Sequence, residues 1–222
     1  MLKRIVVSFN RHGFRNLLVG LILYNVLTPF LEPYMLLSVI AHLLLCITLF
    51  LSLYAIERHD RLRTVAAILL IPLLISYWLG LYNLVIFSRQ GSYLLMVGYY
   101  SLLIYVYVKQ LARFKKVNLE ALYGALCLYL IIGLFWGGLY ALLHEIQPGS
   151  YGGNLLASAK GSTLEIFNYF SMVTLTTLGY GDIVPKTAAA GVLCVTEAVV
   201  GQFFTAVVVG WMVGNIVSER RG

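Results

Sequence analysis

The run Thr174-Leu175-Thr176-Thr177-Leu178-Gly179-Tyr180-Gly181-Asp182 carries the most distinctive chemistry in the chain. Gly179 and Gly181 stand at alternate positions. Glycine reaches backbone angles denied to other residues, so successive carbonyls around these two positions can be turned towards one axis. Four copies of the segment around that axis would make rings of carbonyl oxygens that replace the hydration shell of a monovalent cation. A Gly-Tyr-Gly triplet alone fits an ordinary turn, so its context separates the two readings. Outside this segment no acid, base and nucleophile cluster occurs, which disfavours an enzyme.

The context begins at Ser162, which with Glu165 has the spacing of a capping box and opens an apolar run to about Thr174. A helix of roughly twelve residues reaches about 18 Å, too short to cross a membrane but long enough to enter one halfway. The chain must then return in non-helical form. That is tolerated at membrane depth only where the backbone is buried in protein or lines a water-filled cavity.

Membrane depth is the right frame because of composition. The 222 residues are 60% hydrophobic and only 11% charged, with mean hydropathy +0.86, too apolar for the wet surface of a soluble domain. A soluble enzyme, a secreted disulfide scaffold and a nucleic-acid binder are excluded on this ground. Uncharged runs that read as spans are Leu17–Leu31, which is short and extends back towards Phe14, Tyr34–Ile56, Val65–Phe87, Tyr93–Val108 and Leu122–Leu143. A sixth, Ala188–Val217, holds one charge, Glu197. With the N-terminus inside, 13 of the 16 Lys and Arg fall on the cytoplasmic side, leaving Arg89, Lys160 and Lys186 outside. Both termini are therefore expected in the cytoplasm. The net charge of +7 becomes an insertion signal that also favours anionic lipid head groups. A basic stretch before the first span resembles a signal peptide, but no small-residue cleavage site follows Leu31. Cys46, Cys127 and Cys194 all lie inside spans, where a thiol packs as a small apolar group.

With these elements in place, the Thr174–Asp182 run and its preceding helix resemble the signature sequence and pore helix of potassium channels. Six spans with this loop between the fifth and sixth match the six-transmembrane, one-pore-loop layout of that family. The resemblance covers about 105 residues, Val117 to the end. It implies an all-α membrane protein with a four-helix transmembrane domain at 1–117 and a pore domain at 118–222, the latter comprising outer helix, re-entrant pore helix, selectivity filter and inner helix. It further implies K⁺ as the permeant ion, no cofactor, and a homotetramer in the plasma or inner membrane. The Thr177 hydroxyl and the carbonyls of Thr177, Leu178, Gly179 and Tyr180 would hold K⁺, with Gly181 closing the filter and Thr176 supporting it. Leu178 stands where the family usually has Val or Ile, but the group used there is the carbonyl. Asp182 would sit behind the outer mouth, with Tyr169 at the matching position for an aromatic donor. Val173 occupies a position that is acidic in some members, so no acid pair with Asp182 is expected.

On the sixth span, one helical face carries Gln202, Thr205, Val209, Val213 and Val217, polar near the filter and apolar towards the cytoplasm. That gradient suits a wet cavity narrowing to a gate that closes by dewetting; packing against the fifth helix is the plainer alternative. Gly201 falls at the spacing of the family's hinge glycine. Gly210 with Gly214, and Gly133 with Gly137, have the spacing of close helix contacts. Glu197 lies five residues before Gln202, about 140° round the helix. It is expected behind the filter, either accepting hydrogen bonds from pore-helix hydroxyls or protonated by desolvation.

The fourth span, Tyr93–Val108, carries no Arg or Lys, so the first four helices resemble a voltage sensor in topology without its gating charges. Its tyrosines read as interfacial belts and helix packing, with a lipid or small-molecule groove as a second option. His42 and Cys46 share a face but are too few for a metal. After Val217 only Ser218 to Gly222 remain, so no fused C-terminal sensing domain is expected. Two alternatives stay open: a poorly selective cation pore, if Leu178 loosens the filter, and a non-conducting regulatory membrane subunit.

Overall fold

The structure is a computed structural model that describes residues 13–31, 35–57, 61–81, 88–114, 118–158 and 162–221. Its long helices are α1 (Gly13–Leu31), α2 (Met35–Ala55), α3 (Arg61–Leu81), α4 (Ser88–Leu111), α5 (Leu119–Ile146) and α8 (Ala188–Arg221). All six contain stretches long and apolar enough to cross a membrane. Between α5 and α8 lie a two-residue strand β1 (Tyr151–Gly152), a single turn α6 (Asn154–Ser158), α7 (Thr163–Leu175) and a second short strand β2 (Val184–Pro185).

Each boundary has a local cause. Asn118 caps α5, its side chain accepting from the Ala121 N–H at 2.8 Å. The N-cap of α7 is Ser162 as expected; its side chain makes no cap bond to the helix, and its carbonyl accepts from the Glu165 and Ile166 N–H. At 13 residues, α7 is about 20 Å long.

Helix α5 is the hub. Its apolar window is 61% buried, against 11% for α8, which leaves one broad face uncovered in a single chain. α1, α4 and α7 all pack on α5, and α2 and α3 close the bundle behind α1 and α4. One cluster of buried residues runs from α1 and α4 onto α5. Phe14 of α1 sits edge-on to Tyr107 of α4, its N–H points at Glu120 at 3.3 Å, and its carbonyl accepts from the Cys127 thiol at 3.3 Å.

The α4 tyrosines are mostly interior. Tyr93, Tyr99, Tyr100 and Tyr107 are buried, and Tyr105 is exposed. The Tyr99 hydroxyl donates to the Leu49 carbonyl at 3.0 Å and the Tyr107 hydroxyl to the Ser52 carbonyl at 2.8 Å. Polar bonds of this kind join helices in an apolar medium, where area burial alone gives no preference. Helix packing, not a belt, is therefore the work of Tyr99 and Tyr107. Two ion pairs sit at the two ends of the bundle: Arg113 with Glu57 at 3.0 Å at one end and Arg89 with Glu145 at 3.4 Å at the other.

Candidate functional site

The segment after α7 is built backwards onto that helix. Thr176 N–H donates to the Met172 carbonyl and Thr177 N–H to Thr174. Leu178 and Gly179 N–H both reach the Val173 carbonyl, at 2.9 and 3.4 Å. These bonds satisfy carbonyls that a helix end otherwise leaves orphaned. They also commit the N–H side of the segment to α7. The carbonyls of Thr177, Leu178, Gly179 and Tyr180 accept no hydrogen bond from the described residues.

The backbone alternates in hand. φ is +58° at Thr177, +61° at Gly179 and +76° at Gly181, while Leu178 and Tyr180 between them remain on the negative side. Alternation of this kind gathers successive N–H groups on one side, as the shared Val173 acceptor of Leu178 and Gly179 requires. The two glycines adopt this freely. Thr177 does not: a β-branched residue at positive φ stores about 1 to 3 kcal/mol of strain. Sequence reasoning assigned left-handed geometry to the glycines and missed Thr177, because residue type argues against it. A local tether is present, since Gln202 Nε2 on α8 donates to the Thr177 hydroxyl at 3.2 Å.

The far end of the segment is held by side chains. Tyr169 of α7 donates its hydroxyl to Asp182 Oδ2 at 2.6 Å, and Asp182 Oδ1 accepts from the Ile183 N–H at 3.0 Å. The Thr176 hydroxyl turns back to the Met172 carbonyl at 2.7 Å. A hydrogen bond to a charged acceptor contributes about 1.5 to 3 kcal/mol. Tyr169→Phe is accordingly expected to loosen the segment, read as hydrogen exchange at the Leu178 and Gly179 amides about tenfold faster or more. Exchange at the unaltered rate would show that this bond does not hold the segment.

A second clamp was not foreseen. β1 pairs antiparallel with β2, Tyr151 opposite Pro185; Lys186 N–H donates to the Ser150 carbonyl at 2.8 Å and Leu155 N–H to the Asp182 carbonyl at 3.3 Å. Gly153 has φ +139°, and a Cβ there would lie 2.1 Å from the Asp182 carbonyl oxygen. The loop leaving α5 thus lies directly on the chain that leaves the candidate site. Tyr151 anchors it, buried against Tyr140, Phe167 and Phe170. Burial pushes its hydroxyl above the ordinary tyrosine pKa, so it stays protonated. The signal in the sequence was the Gly152-Gly153 pair between the fifth span and Asn154.

On α8, Gly201 meets the end of α7. A Cβ at Gly201 would lie 2.2 Å from the Leu175 carbonyl oxygen, which also accepts from the Tyr129 hydroxyl at 3.3 Å. Close approach, which the hinge expectation did not include, already requires glycine here. On α5 a Cβ at Gly133 would strike Met172, and one at Gly137 would lie 2.9 Å from Asn168 Cα; both glycines seat α7. Gly210 and Gly214 face open space within the chain. Gln202, Thr205 and Val209 are exposed on the uncovered face of α8. The side chains of Val213 and Val217 lie outside the described residues. Glu197 faces the other way, fully buried between α5 and α7, accepting from the Tyr140 hydroxyl.

Among the described residues no cluster of His, Cys, Asp or Glu is arranged to hold a metal, and His42 lies 2.8 Å from the Tyr77 hydroxyl. Among the described residues, the concentrated ligand set for a cation is the row of unpaired carbonyls. Six apolar helices and this row describe an integral membrane protein built to pass ions, and residues 124–217 match the family described as ion channel. Over 77 residues the chain is 32% identical to potassium channel protein kcv of Paramecium bursaria Chlorella virus 1, an alignment that takes in 33% of this chain and 80% of the viral protein. The chain belongs to the potassium-channel family. It is an ion channel rather than an enzyme.

Proposed function

We propose that this protein conducts K⁺ selectively and passively down its electrochemical gradient, as four copies around a common axis. α7 is then a re-entrant pore helix and Thr177–Gly181 the selectivity filter. The observation that carries this reading is the alternation of φ at Thr177, Gly179 and Gly181 together with the unpaired carbonyls between them. Rings of these oxygens replace water around a dehydrated cation. The C-terminal end of α7, equivalent to about half a negative charge, faces the inner end of the filter and favours a cation there. Tyr169, Asp182, Thr176 and Glu197 support the filter from behind. Gln202, Thr205 and Val209 line the path below it.

The uncovered face of α8 supports the assembly: Val192, Val195, Phe203 and Val207 are each about two-thirds exposed in one chain, a surface suited to neighbouring copies and lipid. Orientation follows the charges, with both termini in the cytoplasm and the basic cluster against anionic head groups of the cell membrane.

Gating is expected to be independent of voltage. Each elementary charge crossing the field supplies only about 2.3 kcal/mol per 100 mV. The basic groups of α4, Arg89 and Lys109, sit at its two ends. Planar-bilayer recordings should show open probability changing less than about e-fold over 100 mV, well short of what several gating charges per subunit produce. Steep activation that vanishes on altering residues before 117 would refute this. The conduction claim itself is tested by reconstituting purified protein into liposomes and measuring K⁺-dependent flux.

A further inference from the structure

Where α5, α7 and α8 cross behind the filter, an acid is buried without a cation. Glu197, Ser171 and Tyr140 are each 0% exposed. The Tyr140 hydroxyl donates to Glu197 Oε2. Ser171 Oγ lies 2.5 Å from Glu197 Oε1 and 2.6 Å from the Gly133 carbonyl oxygen. The ion pairs among the described residues are at the ends of the bundle and involve other carboxylates. The titratable groups that face Glu197 are Tyr140 and Tyr129 of α5, Tyr151 of β1 and Cys194 of α8 itself. α7 presents only the Ser171 hydroxyl, and none of these groups is a base that could neutralise a carboxylate.

Hydrogen counting then decides the protonation state. A serine hydroxyl has one hydrogen and a carbonyl has none. The Gly133 contact can be a hydrogen bond only if Ser171 donates to it. The contact with Glu197, at the short limit for two oxygens, then needs a hydrogen from the acid. Sharing the one serine hydrogen between two acceptors this close would leave both bonds poorly aligned.

We propose that Glu197 is a neutral carboxylic acid that donates from Oε1 to Ser171, completing a directed chain from Tyr140 through Glu197 and Ser171 to the Gly133 carbonyl. The chain ties α8 and α5 to α7 two residues before Val173, whose carbonyl holds Leu178 and Gly179. Glu197 is thus a positioning residue for the filter. This role rests on the channel reading above, whereas the protonation state does not. Loss of the proton would put an unpaired charge behind the filter and reverse the last donor, so conduction should fail at alkaline pH.

Glutamine at this position can reproduce the pattern, its carbonyl accepting from Tyr140 and its amide donating to Ser171; alanine cannot. In liposomes at neutral pH, Glu197→Gln is expected to keep K⁺ flux within about twofold and to lose the alkaline decline, while Glu197→Ala and Ser171→Ala fall about tenfold or more. The infrared difference spectrum of the full chain minus Glu197→Gln reads the acid directly, whether or not the protein conducts. A protonated-carboxyl carbonyl band at neutral pH is the expected result. A carboxylate band there, or a Glu197→Gln channel as impaired as Glu197→Ala, would overturn the proposal.

Discussion

Gly201→Ala is expected to abolish K⁺ flux and to lower the melting temperature of the purified assembly. The added Cβ would sit 2.2 Å from the Leu175 carbonyl oxygen and 3.0 Å from its carbon. Both are backbone atoms in the last turn of α7, two positions before Thr177, and they cannot swing aside as a side chain would. Overpacking of this kind costs about 3 kcal/mol per site, and every subunit would carry it. The two roles open to Gly201 give different results. If the glycine were needed only for bending, alanine would reduce opening and leave thermal stability unchanged. If close approach to α7 is what requires it, stability and flux fall together, and the latter is the expected result.

The second large effect is expected at Gly179. Its φ of +61° is met by open space within 4 Å of where a Cβ would stand, so the obstacle is conformational and not a clash with the same chain. An L-residue held left-handed costs about 1 to 2 kcal/mol, and four copies in one ring bring the total to about 4 to 8 kcal/mol. Thr177 already stores strain of the same kind immediately upstream. Gly179→Ala should therefore lower K⁺ flux about a hundredfold or more, each tenfold corresponding to about 1.4 kcal/mol. The tertiary fold should survive, because Gly179 is exposed in the chain and packs against nothing. A variant with unaltered flux would mean that the left-handed backbone at 179 is not part of the conducting state.

These two glycines also show what sequence reading reaches. The Gly179 and Gly181 requirement is legible because alternate glycines announce unusual backbone angles, and the six spans are legible because lipid demands long apolar runs. The position of Tyr169 relative to Asp182 follows from the resemblance, and the structure places them 2.6 Å apart. Helix phase alone put Glu197 on the side away from Gln202. Its pairing with Tyr140 was not readable, because that residue is 57 positions away on a different helix. The left-handed Thr177 was hidden for the opposite reason, since its local preference opposes the conformation that the surrounding hydrogen bonds impose. Nor did composition show that α1 and α4 share a core with α5. The Phe14 and Cys127 contact joins residues 113 positions apart, and uniformly apolar helices give no phase from which to choose a packing face.

The central claim is that the carbonyl row from Thr177 to Tyr180 passes K⁺ and excludes Na⁺. The most direct measurement is the bi-ionic reversal potential of purified, reconstituted protein with K⁺ on one side and Na⁺ on the other. A reversal potential displaced strongly in the direction set by the K⁺ gradient, and abolished as a conductance by Gly179→Ala, is the predicted result. A reversal potential near zero would show that Leu178 leaves the pore unselective, and the absence of any K⁺-dependent current would contradict the account.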